Sequence, residues 1–586
     1  MSDMPRLLKR LRDQVLSERD AQRRQLLDQW SLPLGERVAR GLAIDGLHLH
    51  SLQPGETFTL ACQRNDSRFR EGDLLVLHRG DPQDPGALQC SLEHDGGTLL
   101  EFSLLDSGLS SGKDFASRFF QLQTNPDGWV ADEDWPDRTP FYLEALDACA
   151  STPRGRERIL PLLAGGLAPQ VDYAGYRRAL KAVAAAGLDE NQADAVAQCY
   201  ATNLAHLVQG PPGAGKTCVL AHLVHLLVAD GRRVLVTAFT HRAVNNALNK
   251  VAQLDPALPV CKIGQVRRTW DLLPHNYESL SASGFADLTG GFAIGATSFT
   301  ILSQRLANIE FDVVVFEDAS QITLPQAIMG MLAGSRYIFI GDERQLLPGA
   351  TQPGPDEASA SIFGFLKKRG FTTSLNTTYR MNGALAEWPS RTFYAGAIRP
   401  AAGVAERRLK LRSPNPAWEL VLDPARPLVF LDLGHRNTTV RNRQEAGTVC
   451  ELVLALLNAG LPPGEIGVVV PFRAQGRTIR NLLHVYLPER EVLKGLVVDT
   501  VERLQGQERE VMLISLTTSS PAFTSQLVDF FFQPEKLNLA ITRSRTKLII
   551  VGSSYMLSAV PVDAQMAAWI DLLRDLLAHS SLRTLR

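Results

Sequence analysis

An apolar run ending at Leu207 and Val208 leads through Gln209 into Gly210-Pro211-Pro212-Gly213-Ala214-Gly215-Lys216-Thr217. An apolar, helix-compatible segment follows over 218–228. The glycines permit a tight turn that aims backbone N–H groups at phosphate oxygens. Lys216 is placed to reach the β- and γ-phosphates, and Thr217 to offer a hydroxyl to Mg2+. The N-terminus of the following helix favours the same anion. A chance glycine loop would not meet every position of this pattern with both flanks correct. The loop therefore demands a strand before it, a helix after it and a nucleotide between.

Strand candidates after the loop alternate with helical patterns, at 233–237, 292–297, 313–316 and 337–340. A second set follows at 428–433, 466–470, 511–516 and 548–551, joined to the first by 350–427. Such alternation predicts parallel α/β sheets. The N-terminal part reads differently. Leu7, Leu8, Leu11 and Val15 recur at helical spacing within 4–30, with Arg and Lys between them on a solvated face. From 33 to 123, short β-like runs separated by Gly, Pro and Asp predict a small barrel. Residues 124–140, rich in Pro, Asp and Trp, read as a linker, and helices return over 141–200.

The 586 residues leave room for three or four domains, and 45% hydrophobic with 21% charged residues is an ordinary globular balance. A net charge of -1 provides no global basic field, so any polyanion must bind in a local groove. Seven cysteines are scattered without a CxxC pair, which argues against a zinc ribbon or iron–sulfur cluster and for reduced thiols. No signal-like or membrane-spanning run stands out, so a cytoplasmic chain without membrane contact is expected.

Three further segments carry chemistry. The apolar run Val313-Val314-Val315-Phe316 ends in Glu317-Asp318. A parallel-sheet NTPase needs one acid there to hold Mg2+ and a second to orient or deprotonate water. Next, Ile340-Gly341-Asp342-Glu343-Arg344-Gln345 places an amide where it can sense a γ-phosphate. In the second half lie Thr378-Tyr379-Arg380, Asp499-Thr500 with Leu504 and Glu508, and Leu537-Asn538-Leu539-Ala540-Ile541-Thr542-Arg543. Arg380 and Arg543 are what a cleft between two sheets needs to stabilise transition-state charge.

This ordered set resembles the superfamily 1 helicases, and is similar to the branch containing the nonsense-mediated-decay helicase and the immunoglobulin mu-binding-protein helicase. The resemblance implies two RecA-like domains, at 188–350 and 351–586, with ATP and Mg2+ in the cleft between them. It matches the N-terminal helix (1–32), the barrel (33–123) and a linker with stalk helices (124–187) to that branch's accessory parts. It implies that Gln192 reads the adenine edge, Tyr379 stacks on the base and Glu508 sits near the ribose and phosphates. Gln345, Arg380 and Arg543 become γ-phosphate sensors. Nucleic-acid contacts map onto Thr240, His241, Arg242, Asn245, Thr297 and Ser298 in the first half, and Pro471, Phe472, Arg473 and Thr500 in the second. Hydroxyls, amides and backbone N–H groups suit a sugar–phosphate track.

The expected function is an ATP-dependent helicase or translocase on single-stranded DNA or RNA, moving 5′ to 3′, with a monomer as the default. Some positions depart from the family pattern. The family's Asp-Glu pair is transposed to Glu317-Asp318, Thr378 replaces a Gln, Leu347 a Pro, Leu504 a Phe and Lys536 an Arg. Two alternatives follow: an ATPase that remodels protein–nucleic-acid complexes, and a slow ATP-switched strand clamp.

Overall fold

The computed structural model describes residues 3–52, 57–69, 71–105, 120–135, 137–265, 269, 271–306, 309–345, 361–413, 415–487, 493–504, 506–526, 528, 532–561 and 563–584. Leu347 and Gln505 lie outside these.

The strand before the phosphate loop, Ala205–Gln209, belongs to an eight-stranded parallel sheet. From one edge the order is His275–Tyr277, Val260–Ile263, Phe292–Thr297, Arg233–Ala238, Phe311–Phe316, Gly334–Gly341, Ala205–Gln209 and Thr372–Ser374. In strand Phe311–Phe316 the run 313–316 is apolar on both faces because helices cover both sides. The second sheet is also parallel, in the order Val497–Asp499, Ile466–Val469, Arg509–Ser515, Ser544–Gly552, Leu428–Asp432 and Ser581–Thr584. Fold class is thus as expected: two α/β sheet domains, a helical stalk and a small barrel.

The stalk helix Asp3–Ser31 has 29 residues, about 44 Å at 1.5 Å per residue. Its Leu7 and Leu11 pack with Ala145, Leu146 and Cys149 into a core cluster of the first sheet domain. At its far end the Trp30 indole donates to Glu133 O at 3.1 Å, joining the barrel. A buried set completes this joint. Asp132 sits between Arg37 (3.0 Å) and His78 (2.8 Å), and Arg37 also donates to Trp30 O and Leu32 O.

Chain segments differ from the sequence reading in three places. The barrel closes through a sixth strand, Trp129–Glu133, inside the segment whose composition reads as a linker. It pairs with both Ala43–Leu52 and Leu74–His78. Helix Ile362–Lys367 and strand Thr372–Ser374 lie beyond residue 350 yet complete the first domain's core and sheet. Finally, Ser581–Thr584 adds an edge strand to the second sheet.

Trp129 is fully buried, and its indole donates to Asn125 O at 2.7 Å. Trp129→Ala is expected to destabilise the barrel by about 3–5 kcal/mol. An early urea transition that leaves nucleotide binding intact is the expected signature; a single unshifted transition would argue against a barrel core built on this ring.

Candidate nucleotide cleft and nucleic-acid face

The phosphate loop bends through Gly213 (φ 75°) and Gly215 (φ 79°), the latter capping helix Lys216–Ala229. Side chains are excluded there for a second reason. A Cβ on Gly213 would lie 2.5 Å from Arg380 Cβ and 2.7 Å from Thr378 Oγ1. The second half of the chain therefore presses directly on the loop: Thr378 Oγ1 donates to Pro212 O at 3.0 Å, and Tyr379 N to Gly213 O at 2.9 Å. Gly210 N–H bonds Gly341 O at 3.0 Å, tying the loop to the end of strand Gly334–Gly341. Buried Pro211 and Ala214 complete the turn, with Ala214 N donating to Pro211 O at 3.2 Å.

Lys216 Nζ donates to Gly210 O at 2.6 Å. Burial lowers its pKa, and the Asp342, Asp318 and Glu317 carboxylates oppose that shift. Thr217 Oγ1 donates to Glu317 Oε1 at 2.9 Å. Glu317 is buried, and its other oxygen, Oε2, has no hydrogen-bond partner among the described residues. Burial, and then the neighbouring Asp318 carboxylate, push the Glu317 carboxyl well up. A hydroxyl beside a buried carboxylate with an orphaned oxygen is a hard-oxygen donor set that fits Mg2+. Asp318 takes a left-handed conformation (φ 51°, ψ 42°), a region Asp tolerates better than most residues, and stays half-exposed.

Asp342 is the hub of the turn at 342–345 that follows strand Gly334–Gly341, where the sequence places the expected γ-phosphate sensor Gln345. Its Oδ1 accepts from Gln209 Nε2 (2.8 Å) and Arg344 N (3.1 Å), and its Oδ2 from Gln345 Nε2 (2.7 Å) and the Tyr394 hydroxyl (2.7 Å). Arg543 Nη2 donates to Gln345 Oε1 at 3.4 Å. Burial and the neighbouring Arg380 push the Arg543 pKa down, so the pair concentrates positive charge where an anion would relieve it. Arg380 Nε donates to Glu508 Oε2 at 2.5 Å and its Nη1 to Thr542 O at 3.0 Å. Burial raises the Glu508 pKa, but Arg380 and Arg545 outweigh it and hold the carboxyl below its ordinary range.

At the other end of the loop, Gln192 closes a capping box with Asp189 and donates Nε2 to Ala214 O at 3.0 Å. Its Oε1 accepts from Asp189 N at 3.2 Å, so in this conformation the amide clamps backbone. Tyr379 stands half-exposed with its hydroxyl 2.7 Å from Asp189 Oδ2.

Pro471, Phe472, Arg473 and Thr500 line a cleft of about 2240 Å3 between the second domain, stalk and barrel. Its charge is mixed: Arg24, Arg40, Arg64, Arg68 and Arg441 line it beside Asp28, Asp45, Asp66, Asp73 and Glu133, with Arg64 and Arg441 paired to Asp66 and Arg68 to Glu133. The barrel segment 65–69 touches the second domain along this wall. Arg473 donates to Phe69 O at 2.7 Å, Arg477 to Asn65 O and Ser67 O at 3.0 and 2.9 Å, and Arg477 pairs with Asp95 at 2.8 Å.

The first-half residues divide. Thr240 caps helix His241–Leu254, His241 opens it, and Arg242 crosses to Arg503 O at 3.1 Å. Thr297 Oγ1 lies 3.1 Å from Thr300 Oγ1. Asn245 and Ser298 are buried, so this conformation does not bring their side chains to the cleft.

Tyr394 and Asn538 were not among the residues singled out from sequence. Asn538 Nδ2 donates to the Tyr394 hydroxyl at 2.8 Å and to Arg344 O at 2.7 Å. Asn538 lies within a quoted motif. Tyr394 had only a weak signal, the Ala395-Gly396 pair after it, where both residues adopt positive φ.

Two family models, each described as an AAA domain, match residues 187–281 and 358–555. The DNA replication ATP-dependent helicase/nuclease DNA2 of Saccharomyces cerevisiae is 27% identical over 423 residues, covering 66% of this chain and 27% of that protein. The Regulator of nonsense transcripts 1 homolog of Arabidopsis thaliana is 27% identical over 427 residues, covering 64% of this chain and 33% of that protein. The chain thus matches about a quarter to a third of these relatives' length. An arterivirus nonstructural protein 10 (helicase) structure aligns over 92% of this chain and 82% of that one, at 13% identity and a TM-score of 0.38, too loose an overlay to argue from.

Proposed function

We propose that this chain, a superfamily 1 helicase by its ordered motifs and its matches, is an ATP-driven translocase on single-stranded nucleic acid. One observation carries the reading. The phosphate loop, the Thr217–Glu317 pair and Gln345 from the first domain meet Arg380 and Arg543 from the second in a single cleft. Closing that cleft on ATP brings Arg543 and Gln345 onto the γ-phosphate and shifts the two domains' grips on a strand. Lys216 and the loop N–H groups hold the phosphates. Thr217 and Glu317 would hold Mg2+, which when bound neutralises charge on the phosphates. Asp318, the less buried of the two acids, is the candidate to orient water.

The groove lined by Phe472, Arg473 and Thr500 supports the strand path, and the branch resemblance supports 5′-to-3′ movement. The unpaired cysteines among the described residues suit a reducing, cytoplasmic setting. ATPase assays with and without single-stranded DNA and RNA, beside unwinding of tailed duplexes, test the reading. Turnover indifferent to both strands would refute it, and stimulation without unwinding would favour a remodelling ATPase.

The transposed acids support a second reading, a slow ATP-switched clamp. Glu317 brings a longer arm to the metal position, and Asp318 a shorter one to the water. Reaching the attacking water requires about 2.6–3.2 Å, and one missing methylene costs on the order of tenfold in rate. Glu317→Asp combined with Asp318→Glu is expected to leave ATP affinity unchanged and raise turnover about tenfold. Equal or lower turnover in the folded double variant would show that the native order is adapted for fast hydrolysis.

A further inference from the structure

Three contacts cross between the domains around the sensor loop. Arg543 reaches Gln345, Asn538 reaches Arg344 O, and the Tyr394 hydroxyl reaches Asp342 Oδ2. Tyr394 follows helix Gly383–Phe393, whose Leu385, Ala386 and Trp388 pack in the second domain's core. Asn538 sits on helix Pro534–Ile541, which leads into Arg543. Asp342 and Gln345 lie in the turn after strand Gly334–Gly341 of the first domain.

We propose that the Tyr394 hydroxyl is a positioning group, locking the sensor loop of the first domain onto the arginine-bearing helix of the second. The inference rests on the ATP-driven reading above. The phenol bonds both sides, donating to Asp342 at 2.7 Å while accepting from Asn538 Nδ2 at 2.8 Å, and the same Nδ2 reaches back to Arg344 O. Asp342 and Asn538 are both buried, so water offers neither a ready substitute. Burial, and then the Asp342 carboxylate, raise the Tyr394 pKa, which keeps the hydroxyl a donor. Its place is set by the backbone: Tyr394 N and Gly396 N both donate to Ser390 O, at 3.1 and 2.9 Å, and Ala395 and Gly396 turn through positive φ.

This arrangement separates two tasks. Gln345 Nε2 spends its bond on the same Asp342 oxygen and must turn away to meet a γ-phosphate. When it does, Tyr394 still holds Asp342, and through Asn538 it holds the helix that aims Arg543. Gln209, at the end of the phosphate-loop strand, holds Asp342 from the other side. The joint therefore links the loop that binds the nucleotide to the helix that completes the site. Tyr394 itself need touch neither ATP nor strand.

Tyr394→Phe keeps the ring and deletes the bond. It is expected to lower kcat about tenfold, the scale of one hydrogen bond to a charged group, with the KM for ATP within about twofold. Combined with Asp342→Ala, it is expected to lower kcat no further than Asp342→Ala alone, because the Tyr394–Asp342 bond is already gone in that variant. Hydrogen exchange of segment 534–541 with and without a non-hydrolysable ATP analogue reads the same joint without turnover. The analogue should protect this segment in the native chain and not in Tyr394→Phe. An unchanged kcat, a rise in KM alone, additive losses in the double variant, or equal protection would each overturn the proposal. A native chain that binds the analogue with this protection but hydrolyses no ATP would refute the ATP-driven reading and leave the joint standing.

Discussion

Lys216→Ala is expected to abolish strand-stimulated ATP turnover while the chain stays folded. The ammonium is held at Gly210 O by a single 2.6 Å hydrogen bond and lies among the Asp342, Asp318 and Glu317 carboxylates. Those contacts occupy it until a phosphate replaces them. Loss of one preorganised donor to developing charge costs about 10²–10³ in rate. The fold has little to lose. The lysine stem covers Gly210, where a Cβ would lie 2.6 Å from Lys216 Cγ, and alanine leaves that carbonyl open to the cleft. Steady-state ATPase beside a thermal melt checks both halves. Full turnover in a folded variant would remove the phosphate-loop assignment.

Arg543→Ala is expected to act on rate rather than on affinity. Its guanidinium is buried 3.4 Å from Gln345 Oε1, and its Nε donates to Leu539 O at 3.1 Å. An arginine supplied to the transferring phosphoryl group is worth roughly 10³–10⁵ in turnover. A fall of that order with ATP affinity changed less than about threefold is the expected result. Arg543→Lys should recover little, because an ammonium cannot reproduce the planar fork. A variant that only raises the Michaelis constant would place Arg543 in ground-state binding.

Sheet strands and phosphate chemistry were legible in the sequence because each leaves a local record. Val313 to Phe316 is apolar at every step, as a strand covered on both faces must be, and Gly213 and Gly215 of the loop stand where the backbone turns through positive φ. The missed elements leave weaker records. Trp129–Glu133 is five residues long and sits between prolines and acids, so its composition reads as a linker. Only its partners, from Ala43–Leu52 and Leu74–His78, make it a barrel strand. Thr372–Ser374 is shorter still and takes its identity from pairing with Ala205–Gln209. Tyr394 carries no motif at all. Its role emerges only where two domains, joined through residues far apart in the chain, share one carboxylate. Ser298 is the reverse case: a hydroxyl at a strand end invites a strand contact, yet the packing of its own short helix buries it.

The bonds between barrel and second domain have a consequence for how the chain is made. Arg473 and Phe69 are 404 residues apart, and Arg477 and Asn65 are 412 apart. A ribosome adding about 5–20 residues per second exposes the barrel's docking segment roughly 20–80 s before its arginine partners emerge. During that interval Asp66 and Asp95 lack the Arg441 and Arg477 guanidiniums and keep only partners within the barrel, Arg64 for Asp66 and Asn65 with Gly97 N–H for Asp95, while the barrel's own antiparallel strands are already able to pair. The nascent barrel therefore waits with its docking segment hydrated until the last third of translation delivers the arginines that cover it.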